Sequence, residues 1–162
     1  MGNNDKRQEG IITNKWFLGK SEFKDIKKIR REVFIKEFLV DEKEEFDSFD
    51  RYAVHAVVYI DDIPSATGRI WHDGKKAMVG NIAVLKPFRG IGIGDLLIRV
   101  LLVKVLKSSN EVEICSPVYL NSFFSKFGFK AVGEKFNKSG ISYIKMNLKR
   151  EDFTLPSKCG CD

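Results

Sequence analysis

Residues 84–97 read Val84-Leu85-Lys86-Pro87-Phe88-Arg89-Gly90-Ile91-Gly92-Ile93-Gly94-Asp95-Leu96-Leu97. An apolar stretch, Met78 to Leu85, runs into a proline, an arginine, three alternating glycines and a long apolar segment. Glycine at every second position removes three Cβ atoms where the chain turns into a helix, so backbone N–H groups can converge on one point. The first N–H groups of a helix have no partner within it, and the helix dipole adds partial positive charge there. Together these suit a phosphate or diphosphate, and Arg89 sets a fixed positive charge at the mouth. A turn that holds no ligand needs one glycine, not three in register.

Few other side chains can do acid–base or nucleophilic chemistry. His55 and His72 are the two histidines. His55 lies in the apolar run Val54 to Ile60, where it reads either as a general base or as a satisfied structural residue. His72 stands in a glycine-containing turn and is expected in solvent. Tyr119 and Tyr143 are phenols that could donate a proton, or structural aromatics. Three cysteines are an odd number, against a disulfide framework. Cys115 reads as a small buried hydrophobe. Cys159 and Cys161 sit in a polar tail with no histidine or further cysteine near, a poor metal site; no metal is expected.

The elements that must position these groups follow from pattern. Gly10 to Gly19 reads as a strand, and Ser21 as the N-cap of a helix reaching about Phe38. Asp41 to Asp50 is acidic, interrupted by Phe46 and Phe49, and reads as a loop or short helix near a substrate entrance. Val54 to Ile60, Ser65 to Trp71 and Ala77 to Leu85 form strands joined by Asp61-Asp62-Ile63-Pro64 and His72-Asp73-Gly74 turns. Ile93 to Leu106 is apolar nearly all round, a helix buried against a sheet. Glu111 to Ser116 is a strand, Leu120 to Phe127 a short helix ended by Gly128. Phe129 to Phe136 and Ile141 to Leu148 close the sheet as a hairpin. The order β-α-β-β-β-α-β-α-β-β is a mixed α/β domain over residues 11–149, with a flexible N-terminus at 1–10 and a tail at 150–162.

With 162 residues, 43% hydrophobic and 31% charged, the chain reads as one ordinary globular domain. No apolar run is long enough for a membrane span. No secretory signal opens the chain, and Lys6 breaks a myristoylation pattern, so a cytoplasmic protein is expected. A net charge of +6 favours anionic partners. No zinc-finger, homeodomain or RNP-type motif supports nucleic acid among them, and Lys27-Lys28-Ile29-Arg30-Arg31 reads as the wet face of an amphipathic helix. Oligomeric state stays open, a homodimer being one arrangement.

Which phosphate the loop takes is narrowed by its ends. A P-loop needs Lys-Ser/Thr after the glycines, whereas Asp95-Leu96 follows Gly94. The dinucleotide fingerprint needs a third glycine three positions after the second, inside a parallel βαβ unit. Arg89, Gly92 and Gly94 instead match Gln/Arg-x-x-Gly-x-Gly/Ala, and the chain resembles the GNAT N-acetyltransferase superfamily. Asn121-Ser122-Phe123-Phe124-Ser125-Lys126-Phe127-Gly128-Phe129 is similar to that superfamily's Asn-x-x-(Phe/Leu)-Tyr-x-Lys-x-Gly-Phe landmark. Gly133 through Met146, Val33-Phe34-Ile35 and Asp47 to His55 resemble elements of one uncharacterised bacterial branch.

The resemblance implies a mostly antiparallel twisted sheet of six to seven strands flanked by helices. It also implies acetyl transfer from acetyl-coenzyme A to a primary amine of a small molecule or protein, by direct attack in a ternary complex. Backbone groups of Arg89, Gly90, Ile91, Gly92, Ile93, Gly94 and Asp95 would hold the diphosphate. Ile82, Ala83 and Val84 would pair with the pantetheine amides, with Asn121, Phe124 and Lys126 beside the cofactor. Glu37 and Asn81 would contact the acceptor. Phe124 stands where the family usually carries its tyrosine general acid. Either the thiolate therefore leaves unaided, or Tyr119 or Tyr143 supplies the proton, or the chain is a non-catalytic acyl-coenzyme A-binding module.

Overall fold

A computed structural model describes residues 10–155. The expectations for the first nine residues and for Cys159 and Cys161 lie outside them. In chain order the elements are β1 (Ile12–Leu18), α1 (Lys24–Arg30), a wider π-helical continuation (Arg31–Glu37), α2 (Glu42–Glu45), β2 (Val54–Ile60), β3 (Ile63–Asp73), β4 (Lys76–Val84), α3 (Ile93–Val105), β5 (Glu111–Pro117), α4 (Asn121–Ser125), β6 (Lys130–Lys138) and β7 (Ile141–Lys149). The expected order holds, with α2 as the short helix inside the acidic stretch. Ser21 is no N-cap: its hydroxyl donates to the Leu18 carbonyl at 2.7 Å, and α1 starts three residues later without a side-chain cap. The π-helical continuation closes through Phe38 N–H to the Val33 carbonyl, a five-residue step.

The seven strands form one sheet in the order β1-β2-β3-β4-β5-β7-β6. Every pairing is antiparallel except β4 with β5. Those two share a single register pair, Met78 with Glu113, and diverge beyond it. The β3–β4 ladder slips between Thr67 and Arg69. Asn81 sits at that slip with φ +49°, and such a bulge re-aims the side chains around it.

Both sheet faces are covered, which explains why the central strands read as nearly continuous apolar runs. On one face Leu97, Ile98, Leu101, Leu102 and Val105 of α3 pack on Ala56, Val58, Val79, Val112 and Ile114. On the other, Ile26, Ile29 and Val33 pack on Val57, Tyr59 and Ala83. The period of two along β2 sends Ala56 and Val58 to α3 and Val57 and Tyr59 to α1. Among the described residues no helix is long and apolar enough to cross a membrane.

Candidate active site

The splay between β4 and β5 opens a cavity of about 690 Å³, running from the glycine loop to the acidic segment around α2. Its two ends are built differently.

At the first end Arg89, Gly90, Gly92 and Gly94 line the wall. Gly92 has φ +87°, and a Cβ built there meets nothing within 4 Å, so the space before the loop is open. The first bond of α3 runs from Leu96 N–H to the Gly92 carbonyl at 3.0 Å. The amides just before it, at Ile93, Gly94 and Asp95, precede the ladder and have no partner in the helix. Unhindered amides at a helix start fit a diphosphate.

Arg89 is not the free charge that the sequence suggests. Its Nη1 and Nη2 grip the two carboxylate oxygens of Glu37 at 2.6 and 2.7 Å, and its Nε donates to the Val84 carbonyl at 2.9 Å. The Arg89 hydrogen bond, against a smaller effect of burial, holds the Glu37 carboxyl below the usual range. Glu37 is therefore at the glycine-loop end, tied to Arg89, and is not among the cavity's lining residues.

The other residues expected around the cofactor divide. Ile82 and Val84 face the cavity, whereas the Ala83 side chain packs under α1 and leaves only its backbone. Ile91 is largely exposed, and the Asp95 carboxylate accepts from Arg99 Nε at 2.6 Å. Phe124 lines the cavity but is only 3% exposed, set edge-on against Phe123 and Phe129. Asn121 and Lys126 are not among the cavity's lining residues. Asn121 does not cap α4, and its Oδ1 is buried without a partner.

At the second end Glu44, Glu45, Asp47, Arg69, Trp71 and Asn81 line the wall. Behind them is a buried ionic network. Arg30 Nε donates to Glu45 Oε1 at 2.7 Å and Arg30 Nη1 to Asp50 Oδ1 at 2.7 Å; Arg30 Nη2 also reaches the Glu45 carbonyl. Arg69 Nη1 donates to both Asp47 Oδ1 and Asp50 Oδ1, at 2.7 and 2.6 Å, while its Nη2 meets Asp47 Oδ2 at 2.7 Å. The Arg69 guanidinium lies 4.2 Å above the Trp71 ring, and Arg30 lies 4.8 Å from that of Phe46. Asn81 Nδ2 joins the network at Glu45 Oε1, 2.9 Å away. Burial pushes the Asp47 carboxyl up, but Arg69 outweighs it and holds the group below the ordinary range.

His55 falls outside this cavity. It is 1% exposed, with Nε2 3.2 Å from the Asp50 carbonyl, Nδ1 unpartnered and Phe23 set edge-on to the ring. Burial, only partly offset by Asp50, drives it toward the neutral form. It stands behind the acidic segment and is not among the cavity's lining residues. Tyr119 and Tyr143 do line the cavity, and Tyr143 stacks on Phe136 with centroids 6.0 Å apart. Burial, then the neighbouring Tyr119, Glu45 and Cys115, push the Tyr143 phenol up and keep it protonated. Cys115 is exposed on the cavity wall, not buried.

The network was missed as a site by sequence reasoning, although signals existed. Asp47 and Asp50 are the acids of the Asp-x-x-Asp-x-x-Ala-x-His stretch, and Arg69 is the one charge in the run Ser65 to Trp71.

Open amides at a helix start, beside a parallel pair that splays, define an anion-binding cleft on a mixed α/β sheet. Residues 4–150 match the acetyltransferase (GNAT) domain model. The chain belongs to the GNAT acetyltransferase family, and is an acyl-coenzyme A-dependent N-acyltransferase. It is 32% identical to the uncharacterized protein YyaT of Bacillus subtilis over 124 residues, covering 74% of this chain and 83% of YyaT. To the uncharacterized N-acetyltransferase YjcF of the same organism it is 30% identical over 132 residues, 77% of this chain and 91% of YjcF. Escherichia coli ElaA shares the fold with a TM-score of 0.77 at 22% identity, covering 86% of this chain and 100% of that one. A GNAT acetyltransferase from Elizabethkingia anophelis with acetyl-CoA bound aligns with a TM-score of 0.66 at 16% identity, over 85% and 97% of the two chains.

Proposed function

We propose that this enzyme transfers an acetyl group from acetyl-coenzyme A to a primary amine, by direct attack while both are bound. The observation that carries the reading is the continuity of one cavity from the open amides of the glycine loop to the carboxylate-lined wall at Glu44, Glu45 and Asp47. An anionic donor enters at the first end and a cationic ammonium is attracted to the second.

Backbone N–H groups from Gly90 to Asp95 hold the diphosphate, and Arg89 adds charge there. The backbone of Ile82 to Val84, unpaired by β5 beyond Met78, pairs with the pantetheine amides and polarises the thioester carbonyl. The amine attacks that carbonyl once it has lost its proton to solvent through the carboxylate-lined mouth. The thiolate leaves as the C–S bond breaks. Phe124 can only pack there, so Tyr143, protonated and beside Cys115 and Glu45, gives the thiolate its proton and is reprotonated, through solvent, by the proton the attacking nitrogen gives up as the amide forms, with Tyr119 as a second wall. Asn81 sets the acceptor wall through Glu45.

Two measurements test this together: calorimetric binding of coenzyme A, and thiol release from acetyl-coenzyme A over a panel of primary amines. Binding with turnover on at least one amine is expected. Binding without turnover on any amine makes the chain an acyl-coenzyme A-binding module, and no binding ends the donor assignment.

A further inference from the structure

Arg89 is the one side-chain cation built into the glycine loop, and its fork is already in use. Both terminal nitrogens grip Glu37, and Nε holds the Val84 carbonyl. An anion that takes the same two-nitrogen edge of Arg89 must displace Glu37 from it. Glu37 closes the π-helical segment Arg31–Glu37, and the same segment carries Phe34, with Phe38 directly after it, into the cavity wall. The Glu37–Arg89 pair thus joins the donor loop to the wall that an acceptor must pass. The partners are partly open to water, with side chains 29% and 35% exposed, so solvent and salt screen the pair and an incoming anion can reach it. Leu39, just beyond, has φ +58° and is 80% exposed. The segment's end is held by Phe38 N–H to the Val33 carbonyl and Val40 N–H to the Phe34 carbonyl, while the Glu37 side chain itself is held by Arg89.

We propose that Glu37 is an internal competitor for the donor's diphosphate: carboxylate and diphosphate exchange at the Arg89 fork, and donor loading frees the Arg31–Glu37 segment. The exchange breaks no covalent bond and moves no proton, since Glu37 is ionised throughout the neutral range. This rests on the donor reading above and adds to it a link between donor binding and the acceptor wall.

The test is calorimetric titration with coenzyme A of the full-length protein and four variants: Glu37→Gln, Arg89→Gln, the double variant, and Glu32→Gln. Glu32 stands on the same segment and is paired with Lys36, so its variant removes equal charge without touching Arg89. Glu37→Gln is expected to bind coenzyme A roughly twofold to fivefold more tightly, the span of a surface ion pair. Glu32→Gln should match the wild type, and the gain should vanish in the Arg89→Gln background. Hydrogen exchange over residues 31–40 should quicken on adding coenzyme A to the wild type, and already be quick in Glu37→Gln. Unchanged or weaker binding by Glu37→Gln, a gain that survives loss of Arg89, or slower exchange over 31–40 on loading overturns the proposal. A wild type that fails to bind coenzyme A overturns the donor reading instead.

Discussion

The two ends of the cavity divide the labour of one site between different materials. The donor end is main chain: glycines spaced by two at a helix start, with the Cβ positions of Gly90 and Gly92 facing open space. The acceptor end is side chain: two guanidiniums and three carboxylates from α1, α2, the Asp47–Asp50 turn and β3, locked by bonds of 2.6–2.7 Å. A ligand held by backbone makes little demand on side-chain identity, so the first end can be altered without loss of the fold. The second end is part of the fold. Its buried charges persist only because each has its partner.

The sharpest way to break this comparison is Asp50→Ala. Asp50 is fully buried, and its Oδ1 accepts from both arginines. Removing it leaves two desolvated guanidiniums short of a partner, which costs on the order of 3–5 kcal/mol. Denaturant unfolding should show that loss as a lowered midpoint with an unchanged slope. A loss below ~1 kcal/mol would mean that the network is no more than decoration.

Next in size is chemistry at the junction of the two ends. Tyr143→Phe should lower kcat about a hundredfold, the usual contribution of a positioned proton donor, with KM for acetyl-coenzyme A little changed. Its raised pKa places the acid form on the low side, so wild-type activity should persist up to pH 10 and fall only above it. That alkaline limb should be absent in the variant. An unaltered kcat would mean that the thiolate leaves unaided.

Gly94→Val probes the donor end alone. Gly94 has no positive φ, and a Cβ there would touch Val84 Cγ2 at an ordinary 3.7 Å. Gly92 is the poorer probe, because its φ of +87° strains any other residue. The added side chain covers the amides, so coenzyme A affinity should fall at least ~10-fold. Unfolding free energy should stay within ~1 kcal/mol, since valine is no worse than glycine in a helix. Stability lost in step with affinity would erase the contrast with Asp50.

The contrast also explains what could be read from the chain. Backbone features write themselves locally: Arg89 to Gly94 occupy six consecutive positions and announce a turn and a helix start. The succession of strands along the chain follows from apolar runs, and α3 from its all-round apolarity. The acceptor end is assembled from Arg30, Glu45, Asp47, Asp50 and Arg69, which meet only after β3 pairs with β2 and α1 docks on the sheet. No spacing rule links Arg30 to Asp50 or Arg69 to Asp47. For the same reason Glu37 was placed with the acceptor although it reaches Arg89. Cys115 was read as buried because a strand pattern cannot show which face of β5 is left open.

His55 offers the smallest test and the finest. It sits on the protein side of the network, its ring nitrogen against the Asp50 carbonyl. Burial lowers its pKa in the fold below its ordinary value of about 6.5. Between those two values the unfolded chain binds the proton and the folded chain does not. Stability is therefore complete above pH 6.5 and declines as pH falls toward the folded value, by at most ~1.4 kcal/mol per unit for one proton. Asp47, whose pKa is also depressed, adds a second decline only below its ordinary carboxylate range. In His55→Phe the first decline should disappear while the second remains, read by urea midpoints between pH 7 and 3. Thiol release at neutral pH should hold in the same variant, because the ring does not reach the cavity. A hundredfold loss there, with the fold intact, would move His55 back into the chemistry and with it the boundary between the two ends.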